Sequence, residues 1–113
     1  MTVCVIIPAL NEAESISAVL AAIPAGLADE VIVVDNGSTD ATVARALAAG
    51  ARVVGEARRG YGYACAAGVA AAQADILVFL DADLSDFPEE INALLAPIQA
   101  GQADLVLGSR FLA

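Results

Sequence analysis

Short apolar runs rich in Val, Ile and Leu alternate with Ala-rich stretches of helical length along the chain, and no other feature narrows the fold as far. β-branched residues suit a pleated sheet, whereas Ala and Leu favour helix. Strand and helix in strict alternation make crossover units, which build a mainly parallel sheet with helices on both faces. The expected strands cover residues 3–7, 30–34, 51–54, 75–80 and 104–107, the first closed by Pro8. Helices are expected from Asn11 to about Ala22, from the 35–40 turn to about Ala49, from Tyr61 to Gln73, and from near Pro88 to Pro97 and Gly101. Asn11 is the expected cap of the first helix, with Glu14 in the capping-box position. In the 35–40 turn Gly37 supplies positive φ, and Ser38 or Asp40 is the expected cap.

At 113 residues the chain is one domain at most, long enough to bury roughly two thirds of its unfolded surface. Its 59% hydrophobic content owes much to Ala, and only 4% is aromatic, so tight packing of small side chains is expected. Fourteen acids stand against five Arg, with no Lys and no His, for a net charge of −9. That balance argues against nucleic acid as a partner. Without Lys there is no Walker-type phosphate loop or Schiff base, and without His there is no Ser-His or Cys-His pair. Cys4 in a strand and Cys65 in a helix, without C-x-x-C spacing, read as two buried reduced thiols of a cytoplasmic protein. The longest uncharged stretch, 60–74, contains three Gly and a Gln and is shorter than the ~20 residues of a membrane span. The amino terminus has no basic region, so no signal peptide is expected. The chain stops soon after the fifth strand without a closing helix. A truncated domain is therefore expected, with an uncovered apolar surface that favours a homo-oligomer.

All strands of a parallel sheet present their carboxyl ends on one rim, where ligands of such sheets bind. Asp81-Ala82-Asp83 emerges there from the apolar run 76–80. Two carboxylates around a small residue suit a hard divalent cation gripping phosphate oxygens, although for an isolated pair a solvated turn is the commoner arrangement. The same rim receives the turns 8–12, 35–40 and 58–62, with Arg110 arriving from a fifth. Taken singly these are a helix cap, a glycine turn and a solvated Arg58-Arg59 pair; together they fit a nucleoside diphosphate. Asp35 can accept hydrogen bonds from a base or a ribose, and Arg59 and Arg110 offer forked donors to phosphate. Asp81 and Asp83 bring the metal that stabilises a leaving diphosphate. Three other readings stand beside this one. A receiver-like signalling module suits the acidic cluster but lacks the Lys that such modules use. A dinucleotide-dependent oxidoreductase has only Gly60-x-Gly62 in its favour, with Cys65 in the third position and the motif after the third strand. The last is a folding or assembly unit whose site is intact but unused.

The ordered motifs are Val5-Ile6-Ile7-Pro8-Ala9-Leu10-Asn11-Glu12, Asp35-Asn36-Gly37-Ser38-Thr39-Asp40, Arg59-Gly60-Tyr61-Gly62, Phe79-Leu80-Asp81-Ala82-Asp83 and Gly108-Ser109-Arg110. In this order the chain resembles the family 2 glycosyltransferases over essentially its whole length, most of all the branch with polyprenyl- and dolichyl-phosphate sugar transferases. The resemblance implies a GT-A fold, in which residues 1–113 form the Rossmann-like nucleotide-sugar-binding half and the acceptor-binding half is absent. It implies an inverting, metal-dependent transfer from a UDP- or GDP-linked sugar to an acceptor such as a polyprenyl phosphate. A cytoplasmic protein, peripheral at the inner face of the membrane, is implied with it. By position, Pro8, Ala9, Asn11 and Glu12 surround the nucleoside, with Glu12 and Asp35 as polar contacts, and Gly37, Arg59, Gly60 and Ala82 complete the donor site. Asp81 and Asp83 match the pair that binds Mg2+ or Mn2+, Asp83 making the more direct bond, and Arg110 faces the donor's phosphates or sugar; Asp83 and Arg110 carry the catalytic roles. Tyr61 departs from the Lys that many relatives have, leaving the loop's charge to Arg58 and Arg59. Ser85 departs from the Gln of several lipid-phosphate transferases. A lipid phosphate, ionised at neutral pH, needs no strong base as acceptor.

Overall fold

The computed structural model describes residues 2–24, 26–82 and, as backbone, 105–106. Among the described residues, five strands form one parallel sheet: β1 (Val3–Ala9), β2 (Glu30–Asp35), β3 (Arg52–Gly55), β4 (Ile76–Phe79) and β5 (Leu105–Val106). Helices α1 (Ile16–Ala22), α2 (Thr42–Ala48) and α3 (Tyr61–Ala71) lie between the first four. Spatial order is β3-β2-β1-β4-β5, so the winding reverses between β1 and β4. A crevice opens at the carboxyl ends of two such strands, because their following loops turn to opposite faces of the sheet.

Alternate residues of β1 serve two cores. Val3, Val5, Ile7 and Ala9 pack with Ile16 and Val19 of α1 and Ala46 of α2. Cys4 and Ile6 pack on the other face with Ile32, Val34, Phe79 and Ala64 of α3. Both faces are thus covered, and the strands read as continuous apolar runs. Helix α3 approaches closely because residue 68 is Gly: a Cβ there would collide with Ile6 Cγ2 and lie 3.2 Å from Val34 Cγ2. Cys4 is buried and Cys65 only half-buried, and both are free thiols. Burial, reinforced by the Glu30 carboxylate, pushes the Cys4 thiol up to about 12.

Two expectations are corrected. Pro8 does not close β1, which runs on to Ala9 with Pro8 opposite Val34 of β2. Ile6 O accepts from Leu80 N at 3.1 Å, so Pro8, two residues on, turns its missing donor to the same side, beyond the last β1–β4 pair at Ile6 and Phe79. Asn11 does not cap α1, which begins five residues later behind a turn in which Ser15 N and Ile16 N donate to Glu12 O. Ser15 occupies the cap position without a side-chain cap bond, and Glu14 is exposed. The expected helix over 88–101 lies outside the described residues. Among the described residues, no helix is long and apolar enough to cross a membrane.

Candidate functional site

The first turn of the carboxyl rim takes its shape from the second. Three consecutive amides at the end of the first donate to side chains of the second and of the start of α2: Asn11 N to Ser38 Oγ at 2.9 Å, Glu12 N to Thr42 Oγ1 at 2.9 Å, and Ala13 N to Asp40 Oδ2 at 3.2 Å. Asn11 returns a bond, its Oδ1 accepting from Thr39 N at 2.8 Å, and Arg45 Nη1 donates to Ala13 O at 2.6 Å. These ties hold Asn11 in the left-handed region, at φ 53°, which Asn tolerates better than most residues. Asp40 is the side chain that serves α2, its Oδ1 accepting from Thr42 N at 3.0 Å and from the Thr42 hydroxyl. Those hydrogen bonds hold the Asp40 carboxyl below its usual range.

The second turn also holds the third. Asn36, 6% exposed, donates through Nδ2 to Glu56 O at 2.9 Å and Arg58 O at 2.8 Å. Its Oδ1 accepts from Gly60 N at 3.0 Å, and its own amide donates to Ala9 O at 2.9 Å. The two arginines of the third turn separate. Arg58 pairs with Glu56 at 2.7 Å and lies 4.5 Å from the Tyr63 ring centroid, so the expectation that it shares the site's charge with Arg59 is corrected. Arg59 makes no ion pair among the described residues. Its guanidinium rests on Gly37, where a Cβ would meet Nε at 3.1 Å; Gly37, at φ 100°, has none.

A cleft of about 350 Å³ opens where the four turns meet, at the reversal between β1 and β4. Pro8, Ala9, Leu10 and Glu12 line it from the first turn, Asn36 from the second, Arg59, Gly60 and Tyr61 from the third, and Asp81 and Ala82 from the fourth, with Ala64 of α3. Asp81 is 8% exposed. Ser15 Oγ donates to Ala82 O at 2.5 Å and ties the fourth turn to the start of α1. Burial raises the half-buried Cys65 thiol, a hydrogen bond with Tyr61 lowers it, and the charge of the Asp81 carboxylate adds a further rise.

Seven of the residues singled out from sequence thus share one cleft: Pro8, Ala9, Glu12, Arg59, Gly60, Asp81 and Ala82. Asn11, Asp35 and Gly37 are not among its lining residues. Asn11 bridges turns, Asp35 Oδ1 accepts from Ser38 N at 3.1 Å, and Gly37 backs Arg59. Asp83, Ser85 and Arg110 lie outside the described residues. Sequence reasoning passed over Asn36 and Ser15. An Asn directly after a strand and before Gly37 was the available signal for the first, and Ser15 offered none.

The sequence model of the family described as "Glycosyl transferase family 2" matches residues 4–113. A glycosyltransferase of Mycobacterium tuberculosis, itself uncharacterised, is 51% identical over 108 residues, 96% of this chain and 48% of that protein. Glucosyl-3-phosphoglycerate synthase of the same species is 42% identical over 113 residues, 89% of this chain and 35% of the synthase. A crystal structure of that synthase with Mn2+, UDP-glucose and phosphoglyceric acid superposes at a TM-score of 0.80 with 41% identity, over 89% of this chain and 40% of that one. The chain spans about half the length of the first of these relatives and less of the synthase.

Proposed function

Because the chain belongs to glycosyl transferase family 2, we propose that it forms the nucleotide-sugar-binding half of a metal-dependent glycosyltransferase that moves a hexose from a UDP-linked donor to a phosphate-bearing acceptor. The observation that carries this reading is the cleft at the sheet's reversal, where Pro8 to Glu12, Arg59 to Gly60, and Asp81 to Ala82 converge. Synthase structures at 41–42% identity with UDP, UDP-glucose or Mn2+ support it.

The cleft's charge suits a diphosphate only with a cation. Glu12 and Asp81 bring two carboxylates to its lining and Arg59 one positive group. Asp81, a hard oxygen donor in a largely buried position, fits Mg2+ or Mn2+. Asp83, two residues on, completes the pair. Bound there, the ion supplies charge stabilisation as the bond between the sugar and the diphosphate breaks. Arg59 would hold phosphate oxygens through its forked donors, while the walls at Pro8 and Ala9 take the nucleoside, with Glu12 and Asp35 as its polar contacts and Arg110 toward the donor's phosphates. The bond between C1 of the sugar and the diphosphate oxygen breaks, UDP keeps the electron pair, and an acceptor oxygen bonds C1; an ionised phosphate oxygen brings no proton, whereas a hydroxyl gives its proton to a base. The phosphoglyceric acid of the synthase structures favours a small phosphorylated acid as acceptor, and a polyprenyl phosphate presents the same ionised group.

Calorimetric titration of the chain with UDP decides the donor reading. Micromolar binding is expected with Mn2+ and at least tenfold weaker binding without it; equal affinity with and without metal overturns the metal site. The full-length protein, given UDP-glucose with either 3-phosphoglycerate or polyprenyl phosphate, identifies the acceptor by which one releases UDP.

A further inference from the structure

Arg58 and Arg59 are adjacent cations on one loop, yet only Arg59 reaches the cleft. The neighbours of Asn36 explain the choice. Three hydrogen bonds from its amide group hold both ends of the 56–60 loop: two donated to Glu56 O and Arg58 O, one accepted from Gly60 N. The side chain is buried and both of its donor hydrogens are engaged, so little of it remains for a ligand. Gly37, next in sequence, leaves the space that the Arg59 guanidinium fills. A fixed Arg58 carbonyl and a fixed Gly60 amide leave Arg59 between two anchored peptides, while Glu56 draws Arg58 away at 2.7 Å.

We infer that Asn36 is a positioning residue: it sets the 56–60 loop so that Arg59 faces the cleft and engages the ligand's diphosphate. The inference rests on the nucleoside-diphosphate reading of the site and extends it to a residue that touches the loop rather than the phosphates. A preset guanidinium loses less freedom on binding than one on a wandering loop. Freed from Asn36, Arg59 keeps its charge and loses its address.

The test separates phosphate from nucleoside. Uridine and UDP are titrated, with Mn2+ present, into the wild-type chain and into Asn36→Ala, Arg59→Ala, Arg58→Ala and the Asn36→Ala/Arg59→Ala pair. Asn36→Ala and Arg59→Ala should each weaken UDP about tenfold or more while uridine affinity stays within twofold, and Arg58→Ala should change neither. The pair should bind UDP no more weakly than Arg59→Ala alone, because Asn36 acts through Arg59. Equal losses for uridine and UDP in Asn36→Ala, or additive losses in the pair, overturn the role and leave Asn36 a plain fold contact. Should the Ala variant not fold, Asn36→Asp keeps the size and the Gly60 acceptor while removing both donors, and the same split is expected of it. A wild-type chain that binds neither uridine nor UDP overturns the site reading and this role with it. UDP binding lost in Arg59→Ala but kept in Asn36→Ala overturns the role alone.

Discussion

The two rims of the sheet carry the same residue types and employ them differently. At the amino rim, acids close backbone bonds where strands begin. Asp29 Oδ2 accepts from Val3 N at 2.7 Å, and Asp75 Oδ2 accepts from Thr2 N at 3.0 Å and Thr2 Oγ1 at 3.1 Å. Arg52 there donates to Glu30 and to Ala71 O. At the carboxyl rim many such duties fall to the second turn and the first residue of α2: Asn36, Ser38, Asp40 and Thr42 hold the backbone of neighbouring turns. Glu12, Arg59 and Asp81 then line a cleft instead of a strand end. An acid at a strand end is therefore no sign of a site by itself; what marks the site is the convergence of residues from four turns on one cleft.

The strongest way to break this contrast is to remove one acid from each rim. Asp81→Asn should weaken Mn2+-dependent UDP binding on the order of a hundredfold, since a charged oxygen ligand of the metal is lost. Asp75→Asn should leave that affinity within twofold. Calorimetry on the two variants is the measurement, and equal losses would mean that the rims do not differ in kind.

Next in size is the converse loss. Asp29→Ala strands the amide of Val3, a residue only 2% exposed, and should cost about 1–3 kcal/mol of stability. Urea denaturation measures it, and UDP affinity should not move. A loss of affinity matching the loss of stability would tie the two rims together.

How far the sequence reveals this arrangement differs by level. The parallel α/β class is legible because both faces of the sheet are covered and the strands are apolar throughout. The convergence of four turns follows from parallel strands alone. Tertiary contact decides the rest. Pro8 reads locally as a strand end, yet it falls where β1 has outrun β4 and no donor is required. Asn11 with Glu14 reads as a cap, yet Ser38 and Thr39, distant in sequence, capture Asn11. Arg58 and Arg59 look alike in sequence, and the Glu56 partner, the Gly37 surface and the Asn36 bonds tell them apart. Hydrogen bonds between turns some 20 residues or more apart leave no local periodicity to read.

The smallest expected effect uses acid to compare the rims in one titration. Asp75 at the amino rim is held below the usual carboxylate range by the Thr2 amide and hydroxyl, and Asp40 at the carboxyl rim by the Thr42 hydroxyl and the amides of Thr42 and Ala13. In the unfolded chain both take up protons near pH 4. Folded, they resist until lower pH, so between these limits the unfolded state binds more protons and stability falls as pH falls. Above that window their contribution is fully present and flat. Denaturation midpoints from pH 6 to pH 2 should therefore show an acid limb, made shallower by Asp75→Asn and by Asp40→Asn alike. The variants should part in one respect. Asp40 also accepts from Ala13 N beside the cleft, so its removal should speed hydrogen exchange at Ala13 while Asp75→Asn leaves that amide unchanged. Unchanged exchange at Ala13 in both would show that the first turn of the carboxyl rim stands without the second.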